Sequence, residues 1–186
     1  MKKDNFFVIT GGPGMGKTTV ITALRELGYT CVPESGRDII QQQVASGGEA
    51  LPWRNREAFA ALMFDQALHD FNTHAGLKQP VFFDRGIADT IGYLTLCGLP
   101  VPAAMAAAAR RYRFHNQVFF TPPWPAIYEQ DKERKQSFEE AIATYEQLLR
   151  TYEELGYEAV ILPQASVSDR VQFILSMTAD TSHVRI

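Results

Sequence analysis

The chain has 186 residues, 46% of them hydrophobic and 21% charged, a balance that suits one folded domain with a sizeable core and excludes a fibrous or disordered chain. A formal charge of −3 excludes a surface built for general nucleic-acid binding, which needs a basic excess. Cys31 and Cys97 lie far apart, without C-x-x-C or metal-ligand spacing, and read as reduced, packed thiols; no apolar run approaches the roughly 20 residues of a membrane span, so the expectation is a cytoplasmic protein without a membrane partner.

The first predicted strand, Phe6–Thr10, runs into Gly11-Gly12-Pro13-Gly14-Met15-Gly16-Lys17-Thr18 and then into a predicted helix, Thr18–Leu27, stopped by Gly28. G-x-x-x-x-G-K-[ST] between a strand and a helix is the phosphate-loop pattern. Its glycines let the backbone curl until several N–H groups point at one phosphate, and the helix N-terminus adds its positive dipole end. Lys17 is expected to bridge the β- and γ-phosphates, the Thr18 hydroxyl to ligate Mg²⁺, and Thr19 to donate to the α-phosphate. The expected cofactors are therefore ATP and Mg²⁺, with GTP left open in place of ATP.

A second strand, Thr30–Pro33, hands over to a helix, Gly36–Ala45, through Glu34-Ser35-Gly36-Arg37. Glu34 and Arg37 are three residues apart and can share a helix face. Glu34 is either a general base for an acceptor hydroxyl or an acid stabilised by the helix dipole. A long helix follows over Asn55–His74, after Leu51-Pro52-Trp53. The third strand, Val81–Asp84, ends in Asp84-Arg85-Gly86, so Arg85 stands where a hydrolytic ATPase carries a second acid to polarise water. Helices over Ala88–Cys97 and Ala103–Ala109 come next, the latter started by Pro102. Arg110, Arg111 and Arg113 are expected either to meet an acidic acceptor group or to form a solvated helix end. Trp53, Phe59, Phe64 and Tyr93 are candidates for stacking on a ring, with core packing the default for each.

The fourth strand is Val118–Thr121, and the charged segment 128–137 after it opens a helix, Ser137–Leu155, with a Ser137/Glu140 capping box. Small kinases place a mobile lid here, and its cations close on the transferring phosphate. Arg134 is the first candidate and Lys132 the second; a solvated helix start is the plain alternative. A last strand, Ala159–Leu162, and a helix, Ser166–Met177, complete the predicted order. Strands alternating with helices predict a three-layer α/β fold: a five-stranded parallel sheet covered on both faces, with ligands at the carboxyl ends of the strands.

Several segments together carry a resemblance: the phosphate loop, Pro33-Glu34-x-Gly36-Arg37, Leu51-Pro52-Trp53, Phe82-Phe83-Asp84-Arg85-Gly86, Ala88-Asp89-Thr90-Ile91-Gly92-Tyr93, Pro122-Pro123-Trp124-Pro125-x-Ile127-Tyr128 and Glu133-Arg134-Lys135-Gln136-Ser137-Phe138. The chain resembles compact bacterial proteins labelled AAA-type or predicted ATPases. These are similar to the ribosylnicotinamide kinase domain of the bifunctional bacterial NAD-biosynthesis regulator, and more distantly to deoxynucleoside and thymidylate kinases. The resemblance implies a P-loop NTPase fold of nucleoside/nucleotide-kinase type over residues 1–186, with the lid at about 128–137. It further implies Asp84 holding Mg²⁺ through water, Arg85 over the phosphoryl acceptor, and Glu34 as the carboxylate that receives the acceptor proton. Lys17, Glu34, Asp84, Arg85 and Arg134 are then the catalytic candidates, and Glu34, Arg37, Arg85 and Lys132 the acceptor-binding ones. Three functions stay open: a small-molecule kinase with an unidentified acceptor, a nucleotide-gated regulatory module, and a simple ATPase.

Overall fold

The computed structural model describes residues 1–128 and 137–179. The strands are β1 (Phe6–Gly11), β2 (Thr30–Val32), β3 (Val81–Asp84), β4 (Gln117–Thr121) and β5 (Glu158–Ile161). The helices are α1 (Lys17–Glu26), α2 (Gly36–Ser46), α3 (Arg56–His74), α4 (Ile87–Leu96), α5 (Ala103–Arg111), α6 (Phe138–Glu154) and α7 (Val167–Ala179). All strand pairs are parallel, in the order β2-β3-β1-β4-β5.

The central strands β3, β1 and β4 are apolar on successive residues because both of their faces are covered. The two-residue period of a strand divides them between two cores. Phe6, Val8, Phe83, Val118 and Phe120 face one layer, which includes Phe71 of α3, Ile87 of α4 and Leu148 and Tyr152 of α6. Phe7, Ile9, Phe82 and Phe119 face the other, against Val20, Ile21 and Leu24 of α1 and Val171 and Ile174 of α7. Each fully buried side chain of this kind contributes about 1.5–3 kcal/mol of transfer free energy. The Phe6 ring also meets Phe71 edge-on at 5.1 Å.

Because β1 lies between β3 and β4, the segments leaving those two strands flank the loop that leaves β1. The predicted strand and helix order holds throughout, and α5 runs two residues further than its alanines, to Arg111. That extension corrects the reading of the basic cluster as an acceptor site. Arg110 and Arg111 are exposed in the last turn of α5. Arg113 donates to the Leu155 carbonyl at 2.7 Å and lies 3.7 Å from the Tyr157 ring centre, before β4 begins and so at the opposite end of the sheet from the phosphate loop. Among the described residues no helix is long and apolar enough to cross a membrane.

Candidate active site

The loop leaving β1 is shaped by three glycines with positive φ: Gly11 at 140°, Gly14 at 70° and Gly16 at 76°. At Gly11 the constraint is also steric, since a Cβ there would stand 2.3 Å from Thr121 Oγ1. Gly16 caps α1 without a side-chain hydrogen bond, and the first turn of α1 carries no acid. The leading N–H groups of that helix therefore receive no acceptor from an N-cap side chain and meet no acid in the first turn, which suits an anion site. Met15 is buried against Gly12, so its contribution to such a site is its backbone. Lys17 is 5% exposed, with Nζ 3.5 Å from the Gly12 carbonyl. Thr18 and Thr19 are exposed, and the Thr19 hydroxyl donates to the Gly16 carbonyl at 2.8 Å.

The end of β3 brings the second group of residues. Arg85 adopts φ of 75°, a left-handed conformation that costs a non-glycine residue about 1–2 kcal/mol. Its N–H donates to Ile9 O, and its Nη1 donates to Gly11 O at 3.2 Å and to Asp89 Oδ1 at 3.1 Å. Its Nε lies 3.4 Å from Glu34 Oε1. Burial works against the charge of Arg85, but Glu34, Asp89 and Asp84 together hold the guanidinium above its ordinary pKa. The strained backbone thus fixes one cation between carboxylates from three segments.

Asp84 precedes it with Oδ1 buried and without a hydrogen-bond partner. Burial raises the Asp84 pKa, and the nearby Lys17 ammonium offsets part of that rise. A buried carboxylate oxygen without a donor, together with an exposed Thr18 hydroxyl, is a hard-oxygen donor set of the kind Mg²⁺ accepts, and Mg²⁺ takes few protein ligands when phosphates supply the rest. No group of three or more His, Cys, Asp or Glu suited to a metal occurs among the described residues, so an all-protein metal cage is not what these residues form.

Asp89 organises the site and was not foreseen. It is 7% exposed. Its Oδ1 accepts from Thr10 Oγ1 and Arg85, and its Oδ2 from Gly86 N at 2.8 Å and the Tyr152 hydroxyl at 2.6 Å. The sequence signal is its position three residues after Gly86, in the first turn of α4, where an acid reaches back to cap the helix. Its contacts with β1 and α6 are tertiary and carry no sequence signal.

A cavity of about 650 Å³ opens beside the loop, lined by Pro13 of the loop and by the charged residues Glu34, Asp84, Arg85 and Asp89. Phe59, Met63, Phe83, Phe114 and Leu148 are among its apolar lining, and Trp53, which is 66% exposed, also lines it. Tyr93 lines it as well and carries a buried hydroxyl without a hydrogen-bond partner. Among the described residues that line it, five carry carboxylates (Glu34, Asp70, Asp84, Asp89, Glu140) and two carry guanidinium groups (Arg56, Arg85).

Of the expected site residues, Glu34, Asp84 and Arg85 come together beside the phosphate loop. Arg37 is exposed in the first turn of α2 and does not line the cavity. Glu34 precedes Ser35, the N-cap of α2, so Glu34 and Arg37 do not share a helix face as expected. Phe64 joins the core rather than the cavity. Lys132, Arg134 and nearly all of the expected lid lie outside the described residues.

Sheet order, phosphate loop and flanking carboxylates define an α/β P-loop protein with the fold of nucleoside and other small-molecule kinases. The chain belongs to the AAA-domain family, whose model matches residues 6–170. No curated protein sequence matches it significantly. Its fold is similar to deoxyadenosine kinase from M. mycoides with dCMP and dCDP bound, at 12% identity and TM-score 0.66, covering 94% of this chain and 99% of that one. It is similar to the NadR protein in complex with NR, at 19% identity and TM-score 0.70, covering 97% of this chain and 51% of that one. It is also similar to shikimate kinase from Acinetobacter baumannii in complex with shikimate, at 20% identity and TM-score 0.54, covering 97% and 95%. At these identities the likeness is one of fold.

Proposed function

We propose that this protein is an ATP- and Mg²⁺-dependent small-molecule kinase that phosphorylates a hydroxyl of a nucleoside-like acceptor carrying no phosphate of its own. One observation carries the reading. Glu34 and Arg85 form an ion pair at 3.4 Å where the phosphate loop meets a largely apolar cavity rich in carboxylates. Among the described lining residues carboxylates outnumber guanidinium groups, and Arg85 already faces Glu34 and Asp89, so a phosphorylated acceptor would meet more negative than positive charge from them. A ring with a hydroxyl enters at no such cost, and the apolar walls favour it.

In this reading the backbone N–H groups of residues 11–18 other than Pro13, together with the Lys17 ammonium, hold the donor's phosphates. Thr18 and Asp84 would hold Mg²⁺, which supplies charge neutralisation on the phosphates when bound. The acceptor hydroxyl lies against Glu34, which takes its proton. The acceptor oxygen bonds to the γ-phosphorus as the bond to the β–γ bridging oxygen breaks, and ADP leaves. Arg85 spans the carboxylates and the loop, so it faces the charge that spreads over the transferring group. Positioning and charge stabilisation account for the catalysis; the chain supplies no covalent intermediate. The solved kinases of similar fold bind nucleotides or small acceptors, which supports the reading without naming the acceptor. The test is ADP release measured with ATP, Mg²⁺ and panels of nucleosides and their monophosphates: nucleoside-dependent release supports the proposal, and release stimulated only by monophosphates counts against it.

A further inference from the structure

Across the phosphate loop from the cavity lies an arginine that the mechanism does not use. Arg170, in the first turn of α7, is 4% exposed, and its Nε has no hydrogen-bond partner. No carboxylate pairs with it among the described residues: the neighbouring Asp169 instead accepts from Ser166 Oγ at 2.7 Å. The guanidinium lies 5.7 Å from the centre of the Trp124 ring, within cation–π reach. The loop before α7 is tied to the segment after β4, since Gln164 Nε2 donates to Pro123 O at 2.8 Å. Arg170 also lies against the phosphate loop. A Cβ on Gly16 would stand 2.8 Å from its Nη1, so the missing side chain at Gly16 is what admits the guanidinium.

A buried guanidinium N–H without an acceptor is costly and calls for a partner, which a bound ligand can supply. The direction of the donor follows from the cavity. The γ-phosphate must face Pro13, Glu34, Asp84 and Arg85, which lie on one side of the loop. The nucleoside half then leaves on the other side, beside Gly16, where Arg170 and Trp124 lie.

Resting on the kinase reading, we propose that Arg170, stacked on Trp124, hydrogen-bonds the nucleoside half of the donor triphosphate and makes the site selective for a nucleotide over a bare polyphosphate. The test is calorimetry of the full chain with Mg²⁺ and either ATP or inorganic tripolyphosphate. In Arg170→Met, ATP affinity is expected to fall roughly tenfold or more while tripolyphosphate affinity changes less than about twofold. Unchanged ATP affinity overturns the proposal, and so does an equal loss for both ligands, which would mark Arg170 as a prop for the loop. A wild-type chain that binds neither ligand overturns the phosphate-loop reading and this proposal with it. If Arg170→Met does not fold, Trp53→Phe leaves Trp124 as the sole indole. ATP, and not tripolyphosphate, is then expected to shift its emission, and no shift with ATP overturns the assignment.

Discussion

Arg85 Nε stands 3.4 Å from Glu34 Oε1, which couples the cation that follows β3 to the carboxylate that leads into α2. In the proposed mechanism the pair holds Glu34 beside Arg85 and occupies part of the Arg85 charge before an acceptor binds. Glu34→Gln keeps the shape and can still accept a hydrogen bond, but it is a far poorer proton acceptor. Its kcat is expected to fall by about 10²–10⁴, the usual range for a general base, with ATP affinity unchanged. Steady-state kinetics with parallel calorimetry check this, and an unaltered kcat removes Glu34 from proton transfer.

Asp89→Asn tests the organising carboxylate. Asp89 accepts from Thr10, Arg85, Gly86 and Tyr152 in a nearly dry site. The amide replaces one acceptor oxygen with a donor and faces at least one N–H or O–H head-on. A loss of about 2–4 kcal/mol is expected, because buried donors and the Arg85 charge lose a partner. Urea unfolding measures it, and a change below about 1 kcal/mol would show that water replaces the carboxylate.

Asp84 carries a burial cost that pH reveals. Burial raises its folded pKa, so the folded chain favours the neutral acid more than the unfolded chain does. Stability is therefore lost as pH rises from the ordinary carboxylate range through the raised value, and the full cost is borne at neutral pH. Asp84→Asn is expected to raise Tm at pH 7 by roughly 2–4 °C per kcal/mol relieved, with the gain vanishing below the ordinary carboxylate range. The same variant should lose Mg²⁺-dependent ATP binding. Calorimetric Tm values across pH, with and without Mg²⁺·ATP, decide the matter; a neutral-pH Tm below wild type contradicts the burial argument.

The fold was legible in the sequence because its signals are local. Runs such as Val81-Phe82-Phe83 mark strands buried on both faces, and the strand–glycine–helix passage at Gly11–Thr18 carries its geometry in the chain itself. Asp84 and Arg85 were legible because they end a strand, where ligands of parallel sheets gather. Asp89 and Arg170 were not, since the neighbours that set each apart lie more than 60 residues away: Tyr152 for Asp89, and Gly16 for Arg170. For Arg110, Arg111 and Arg113 the sequence left two readings open, and position in the fold decides between them: Arg110 and Arg111 form the exposed end of α5, and Arg113 donates to the Leu155 carbonyl before β4 begins. Glu34 and Arg37 parted because the helix begins at Gly36, with Ser35 as its N-cap, so Glu34 lies outside it.

The most direct measurement is phosphorus NMR of the full chain with ATP and Mg²⁺, in the presence of a nucleoside mixture or of the matching monophosphates. The account predicts a new phosphomonoester signal growing with ADP in the nucleoside sample, and its absence in Lys17→Ala. Steady release of inorganic phosphate at one rate, whether or not any acceptor is added, would contradict it.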